Sequence, residues 1–264
     1  MIIDTHTHAF PDALAPRAME SLSASAEVEP FTDGTCAGVR ASMRRAGVDI
    51  SVIAPIATKP SQVRSINRWA AEVSRENDDL ICFGSIHPDQ DDWQSEIDML
   101  VADGVKGVKF HPDYQLFFVD EPRLNPIYRA LADAGLIVLF HAGVDIGLPP
   151  PVHCTPDRLA KVLDEVSNLT IIAGHMGGYQ CWDEVYQYLT GRDLYFDTSY
   201  SLTDMGAESM TSMIRAHGLH RVMFATDSPW TDQAAELEGI RALDLTSDEI
   251  EAVLGGNASR LLGL

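Results

Sequence analysis

Met1-Ile2-Ile3-Asp4-Thr5-His6-Thr7-His8 opens the chain. Its first half is β-branched and apolar, the composition of a short strand, and its second half sets two imidazoles two residues apart. The same design recurs along the sequence. Apolar runs at Ile2–His6, Ile50–Pro55, Ile81–Ile86, Gly107–His111, Ile137–His141, Thr170–His175, Leu194–Asp197 and Val222–Asp227 each stop at a polar or loop-forming residue. Between them, Ser61–Arg75, Trp93–Ala102, Asn125–Ala134, Pro156–Val166 and Ala207–His217 carry apolar residues at helical spacing. Thr155-Pro156-Asp157 and Thr246-Ser247-Asp248-Glu249 read as helix starts. Eight strands alternating with helices predict an α/β fold closed into a (β/α)8 TIM barrel. An open doubly wound sheet would carry a glycine-rich first turn, and here the first strand runs into His6-Thr7-His8. No linker or low-complexity tract divides residues 1–264, so one barrel domain is expected.

The histidines fall where such a barrel does its chemistry. Of nine, His6, His8, His111, His141 and His175 end predicted strands or lie one step beyond, and Asp227 ends the eighth. Those ends open onto a single face. Alternation places His6 and His8 in the barrel mouth with Asp4 and Ile2 behind them, Lys109 on the side of His111, His141 with Leu139 and Ile137, and His175 with Ala173 and Ile171. Any one of these histidines alone reads as a hydrogen-bonded structural residue. Together, two imidazoles from one strand, further imidazoles and a carboxylate make a mixed N/O donor set suited to Zn²⁺ or a similar ion. Phe10, Tyr114, Trp230 and Pro149-Pro150-Pro151 follow strand ends and are pocket-lining candidates. Tyr179 and Trp182 read as core of the next helix, and His153, His217 and His220 as solvated. The connection from Ala9 to about Cys36 is long enough for a lid or substrate loop.

Composition narrows the partners. A net charge of −20 repels nucleic acid and anionic membranes. Cys36, Cys82, Cys154 and Cys181 are far apart, which predicts free thiols, and no signal peptide or membrane span is evident; a cytoplasmic location is expected. No GxSxG and no phosphate-cradling loop occurs, so acyl-enzyme and nucleotide-dependent schemes have no support.

The opening stretch, with Leu139-Phe140-His141-Ala142-Gly143, Gly174-His175-Met176-Gly177-Gly178, Phe224-Ala225-Thr226-Asp227-Ser228-Pro229 and the closing Gly256-Asn257-Ala258-Ser259-Arg260-Leu261-Leu262, resembles the amidohydrolase superfamily in its amidohydrolase-related branch of hydrolases and decarboxylases. The resemblance implies that His6, His8, His141 and Asp227 bind a divalent metal, with His175 a further ligand or a catalytic group. Many superfamily members carry a glutamate or carboxylated lysine on the fourth strand, bridging two metals. Here that strand reads Gly107-Val108-Lys109-Phe110-His111-Pro112. Lys109 is either carboxylated, bridging two ions, or an ammonium that pairs with a substrate carboxylate, and His111 is a possible further donor. One zinc with a cationic Lys109 is the favoured arrangement.

Bound Zn²⁺ lowers the pKa of its water to roughly 7. The expected activity is therefore hydrolysis of a C–N or C–O bond in a small amide, cyclic amide, lactone or ester, with Asp227 moving the proton and His175 steadying the oxyanion. The alternative is non-oxidative decarboxylation of a small carboxylic acid by the same residues. A TatD-like nuclease also fits Thr226-Asp227-Ser228-Pro229, but the acidic charge opposes it, and a metal-binding protein without catalysis is the non-enzyme alternative. Barrels of this kind often pair through helices, so a homodimer is expected by analogy.

Overall fold

A computed structural model describes residues 1–264. Nine strand segments build eight staves: β1 (Ile3–Thr7), β2 (Ile50–Ile53), β3 (Leu80–Cys82) with β4 (Gly84–Ser85), β5 (Gly107–Phe110), β6 (Ile137–Phe140), β7 (Ile171–Ala173), β8 (Tyr195–Asp197) and β9 (Val222–Met223). All pairings are parallel. The expected strand Ile81–Ile86 bends at Phe83; its first half pairs with β2 and its second with β5. The last stave returns to the first through a Thr7–Ser228 bridge, with Thr5 donating to the Phe224 carbonyl at 3.0 Å. The barrel is closed.

Helices cover the outside, as parallel staves buried on both faces require. Val63–Glu76, Trp93–Ala102, Asn125–Asp133, Pro156–Glu165 and Ala207–His217 lie within two residues of their predicted positions. Thr246 makes a reciprocal cap, accepting from the Glu249 amide at 3.3 Å while the Glu249 carboxylate accepts its own amide at 2.8 Å. Thr155 does not cap its helix; its hydroxyl donates to the Asp157 carboxylate instead.

Two apolar clusters divide the interior. The larger lies between staves and helices and takes Val108, Phe110, Phe140, Ile171, Ala173 and Phe224. The smaller fills the barrel, with Ile3, Val52, Phe83, Ile137, Leu139, Ile172 and Met223, and Ala258 and Leu262 of the C-terminal helix pack onto it. That helix is anchored by Asn257, whose amide donates at 2.8 Å to the carbonyls of Leu219 and Val222. A Cβ on Gly255 would lie 2.1 Å from the Met1 carbonyl oxygen, so only glycine lets the tail cross beneath β1.

This partition corrects two of the side-chain directions expected from alternation. Ile3, not Ile2 and Asp4, faces the barrel interior, because β1 advances three residues, Asp4 to Thr7, against two on β2. The extra residue is a bulge, and it lets His6 turn inward although Asp4 points outward. Likewise Ile172 is internal while Ile171 and Ala173 face the helices. His175 reaches the mouth only because its backbone is left-handed, φ 59°.

The outward Asp4 accepts from the Thr226 amide and hydroxyl and from Gln233, and burial pushes its carboxyl up to about 7. Nearby Glu236 is also driven up to about 7, first by burial and then by the Asp4 and Asp227 charges; its Oε2 is buried without a partner. The folded chain therefore holds the Glu236 proton more tightly than the unfolded one. Stability falls as pH rises from the ordinary glutamate range through about 7 and stays low above it. Glu236→Gln removes that charge, and a gain of roughly 1 to 3 kcal/mol at pH 8 is expected, fading by pH 4. Thermal unfolding of both proteins across that range checks it; an equal difference at both pH values contradicts the assignment.

No helix is long and apolar enough to cross a membrane. All four cysteines are free.

Candidate metal centre

The C-terminal ends of the staves gather the imidazoles and carboxylates. His6 closes β1, with Nδ1 2.9 Å from Asp197 Oδ2 and 3.1 Å from Ser199 Oγ. An ionised carboxylate only accepts, so Nδ1 carries the proton and Nε2 presents a lone pair. His8 repeats the arrangement, with Nδ1 2.9 Å from the Ala54 carbonyl oxygen and Nε2 3.0 Å from Asp227 Oδ1. Two acceptors face each other across that gap, which calls for a proton or a cation between them. His6, His8 and Asp227 each offer a donor atom within 4.8 Å of the others.

His141 and His175 form a second chain of assignment. His175 Nδ1 lies 3.1 Å from the Ser199 carbonyl oxygen, an obligate acceptor, so Nδ1 is protonated and Nε2 is not. His175 Nε2 then accepts from His141 Nδ1 at 3.0 Å, and the lone pair of His141 is left on Nε2. That nitrogen is buried and has no hydrogen-bond partner. The outer nitrogens of His6 and His8 are pinned by a carboxylate and a carbonyl, and that of His141 by His175, so each of the three turns an Nε2 lone pair inward, as a divalent cation requires. The residues fit the ion.

Burial pushes the His6 imidazole down to about 3, helped by the Lys109 charge, so it is neutral. Burial works against charge on Asp197 and Asp227 as well. Neighbouring imidazoles, with the Ser199 hydroxyl on Asp197, more than offset it and hold both carboxyls well below the usual range. Lys109 is fully buried, brought down to about 8 by desolvation, and its Nζ lies 2.8 Å from His6 Nε2. In this arrangement the ammonium engages the lone pair that a metal ion would use.

The backbone at the site is conformationally forced. His175, Met176 and Asp227 all have positive φ, 59°, 54° and 67°. Such values in non-glycine residues cost about 1 kcal/mol or more each. They are held by hydrogen bonds across staves: the His175 amide to Asp197 Oδ1 at 2.9 Å, Met176 to the Asp197 carbonyl at 2.7 Å, and Asp227 to the His6 carbonyl at 2.8 Å. Asp197 thus orients His6 and His175 together. Sequence reading placed Asp197 only as a strand end; the available signal was a carboxylate at the tip of the seventh stave, the same position that drew attention to the histidines.

His111 does not join the first group. Its Nδ1 accepts from the Tyr114 amide at 3.4 Å, its Nε2 meets Asp145 Oδ2 at 3.1 Å, and its ring stacks on His141 with centroids 4.1 Å apart. His111, His141 and Asp145 form a second trio within metal-binding reach. In the present pairing His111 Nε2 carries a proton and serves Asp145.

Above these residues lies a cleft of about 180 Å³, lined by 21 residues of which 13 are hydrophobic. His8, His111, His141, His175 and Asp227 face it, with Phe10, Tyr114 and Trp230 in its wall. The long first connection supplies Leu22 and Ala26 from α1 (Ala15–Ala26) and Val28 beyond it. Tyr179 also lines the cleft and donates to Asp204, so it is not simply helix core. Pro149–Pro151 are not among the lining residues. His217, expected in solvent, is buried, stacks on Phe196 and reaches the Leu194 carbonyl oxygen at 2.9 Å.

The chain belongs to the amidohydrolase family, whose sequence pattern matches residues 3–264. No curated protein matches it. Among solved structures it is similar to a 5-carboxyvanillate decarboxylase from Novosphingobium aromaticivorans with bound manganese and 3-methoxy-4-hydroxy-5-nitrobenzoic acid, at 18% identity and TM-score 0.76, covering 100% of this chain and 97% of that one. A 2,6-dihydroxybenzoate decarboxylase from Rhizobium aligns at 16% identity and TM-score 0.71, over 99% and 98%. An uncharacterized TIM-barrel protein from Bordetella bronchiseptica aligns at 19% and 0.76, also over 99% and 98%.

Proposed function

We propose that the chain is a metal-dependent, non-oxidative decarboxylase of a small aromatic carboxylic acid. The observation that carries this reading is a metal-compatible donor set at the floor of a cleft whose wall is apolar and aromatic. The decarboxylases among its structural neighbours support the same class. Hydrolysis, the first expectation from sequence, becomes the second reading. A floor where the Asp227 side chain is 13% exposed, within reach of water, favours that one.

His6, His8 and Asp227 would hold one divalent ion, Zn²⁺ or Mn²⁺, both suited to imidazole and carboxylate donors, and His141, grouped with His111 and Asp145, would turn its unpartnered Nε2 to it as a fourth donor. Such an ion supplies positive charge that anchors the carboxylate and draws electron density from the ring. The side chains do the rest. Phe10, Tyr114 and Trp230 clamp the ring in the cleft. The bond from ring carbon to carboxylate breaks, carbon dioxide leaves without the bonding pair, and that pair takes a proton to form a C–H bond. Asp227, facing the cleft beside His8, relays this proton from solvent. His175 steadies His141 through their shared hydrogen bond.

Purified protein loaded with Zn²⁺ or Mn²⁺ and given hydroxybenzoates should release CO2 and one neutral arene per turnover, without net acid from amides, lactones or esters. Coupled CO2 detection against pH-stat titration decides; acid release with no CO2 establishes hydrolysis instead.

A further inference from the structure

Besides Asp227, one charged side chain lines the cleft: Asp145, on the loop that follows β6. No lysine or arginine is in the wall. Asp145 is fixed at both oxygens, with Oδ1 accepting from the Gly147 amide at 2.8 Å and Oδ2 from His111 Nε2 at 3.1 Å. The loop itself is tied to α1 by Ser25, whose hydroxyl donates to the Gly147 carbonyl oxygen at 2.8 Å. Gly143 allows the loop to leave the barrel, since a Cβ there would lie 2.2 Å from the Tyr179 amide nitrogen. The carboxylate is therefore a preorganised acceptor in a mainly apolar wall. Burial alone would raise it, yet the hydrogen bonds from His111 and the Gly147 amide hold it below its ordinary range, so it is ionised at neutral pH.

We infer that Asp145 determines specificity: it selects aromatic acids that carry one carboxylate and a hydroxyl or amino donor, and it rejects dianions. A substrate's first carboxylate would go to the ion that His6, His8 and Asp227 would hold. A second would be desolvated beside Asp145, with no cation in the wall to receive it. A hydroxyl or amine in that position instead donates to a carboxylate already held in place, a charge-assisted bond stronger than a neutral one. This rests on the proposed function only for which carboxylate goes to the ion.

The test measures binding rather than turnover. Metal-loaded protein is titrated calorimetrically with benzoate, 3-hydroxybenzoate and isophthalate. Wild type should bind 3-hydroxybenzoate at least about tenfold more tightly than isophthalate. Asp145→Asn keeps an acceptor for His111 but loses the charge, and the ratio should shrink to within about threefold with metal content unchanged. Asp145→Ala should erase the preference for 3-hydroxybenzoate over benzoate. Equal wild-type affinities, an unchanged ratio in Asp145→Asn, loss of metal from that variant, or no binding of any probe each overturn the inference. A collapsing ratio with no CO2 release leaves it standing while the decarboxylase reading falls.

Discussion

Asp227→Asn should leave a folded, metal-binding protein with at least about a thousandfold less turnover, a loss of roughly 4 kcal/mol of transition-state stabilisation. The carboxylate is asked to do two things. Its Oδ1 lies 3.0 Å from His8 Nε2 and 3.5 Å from His6 Nε2, so it would complete the donor set, and it lines the cleft, where the proposed reaction uses it as proton carrier. An amide keeps the size and one acceptor oxygen but cannot relay a proton and adds no negative charge. Folding should survive, because the loop is held by backbone, the Asp227 amide to the His6 carbonyl and the Trp230 amide to the Asp227 carbonyl. Circular dichroism, metal analysis and steady-state rates separate the contributions. Retention of near-normal kcat would remove Asp227 from the chemistry.

The barrel was legible in the sequence because parallel staves must be buried on both faces, which leaves short apolar runs such as Ile137–His141 standing out between amphipathic helices. The convergence of His6, His8, His141, His175 and Asp227 was legible for the same reason: stave ends share one face. What alternation could not supply was direction where the backbone departs from a regular strand. The bulge after Asp4 and the left-handed His175 both depend on neighbours in space, the register against β2 and the hold of Asp197 on the His175 amide. Helices Ala15–Ala26, Cys36–Ala46 and Gln233–Arg241 carry a weaker sequence signal, since polar residues interrupt their apolar spacing. The acidity of the cleft wall at Asp145 was invisible too, because that residue sits in a loop with no periodicity.

Asp197 shows most plainly what a chain of residue types omits, and its replacement should have the second large effect. In Asp197→Asn the side chain can keep one oxygen on the His175 amide and the Ser199 hydroxyl, where Asp197 Oδ1 now accepts at 2.9 Å and 2.5 Å. Its new NH2 must then face His6 Nδ1, in place of the Oδ2 found there at 2.9 Å. A donor against Nδ1 forces the His6 proton to Nε2, the nitrogen that meets Lys109 and Asp227. That tautomer has no lone pair to give an ion. Turning the amide over restores His6 but sets NH2 against the His175 amide, and a buried donor then faces a donor. Either way the variant should hold its ion 10 to 100 times more weakly, as for other lost carboxylate partners of metal-binding imidazoles. Competition with a chromophoric chelator reads this directly, and rate recovery at high metal concentration distinguishes weakened binding from misfolding. If metal affinity is unchanged, His6 does not ligate through Nε2, and the centre must be drawn around His141 and its neighbours instead.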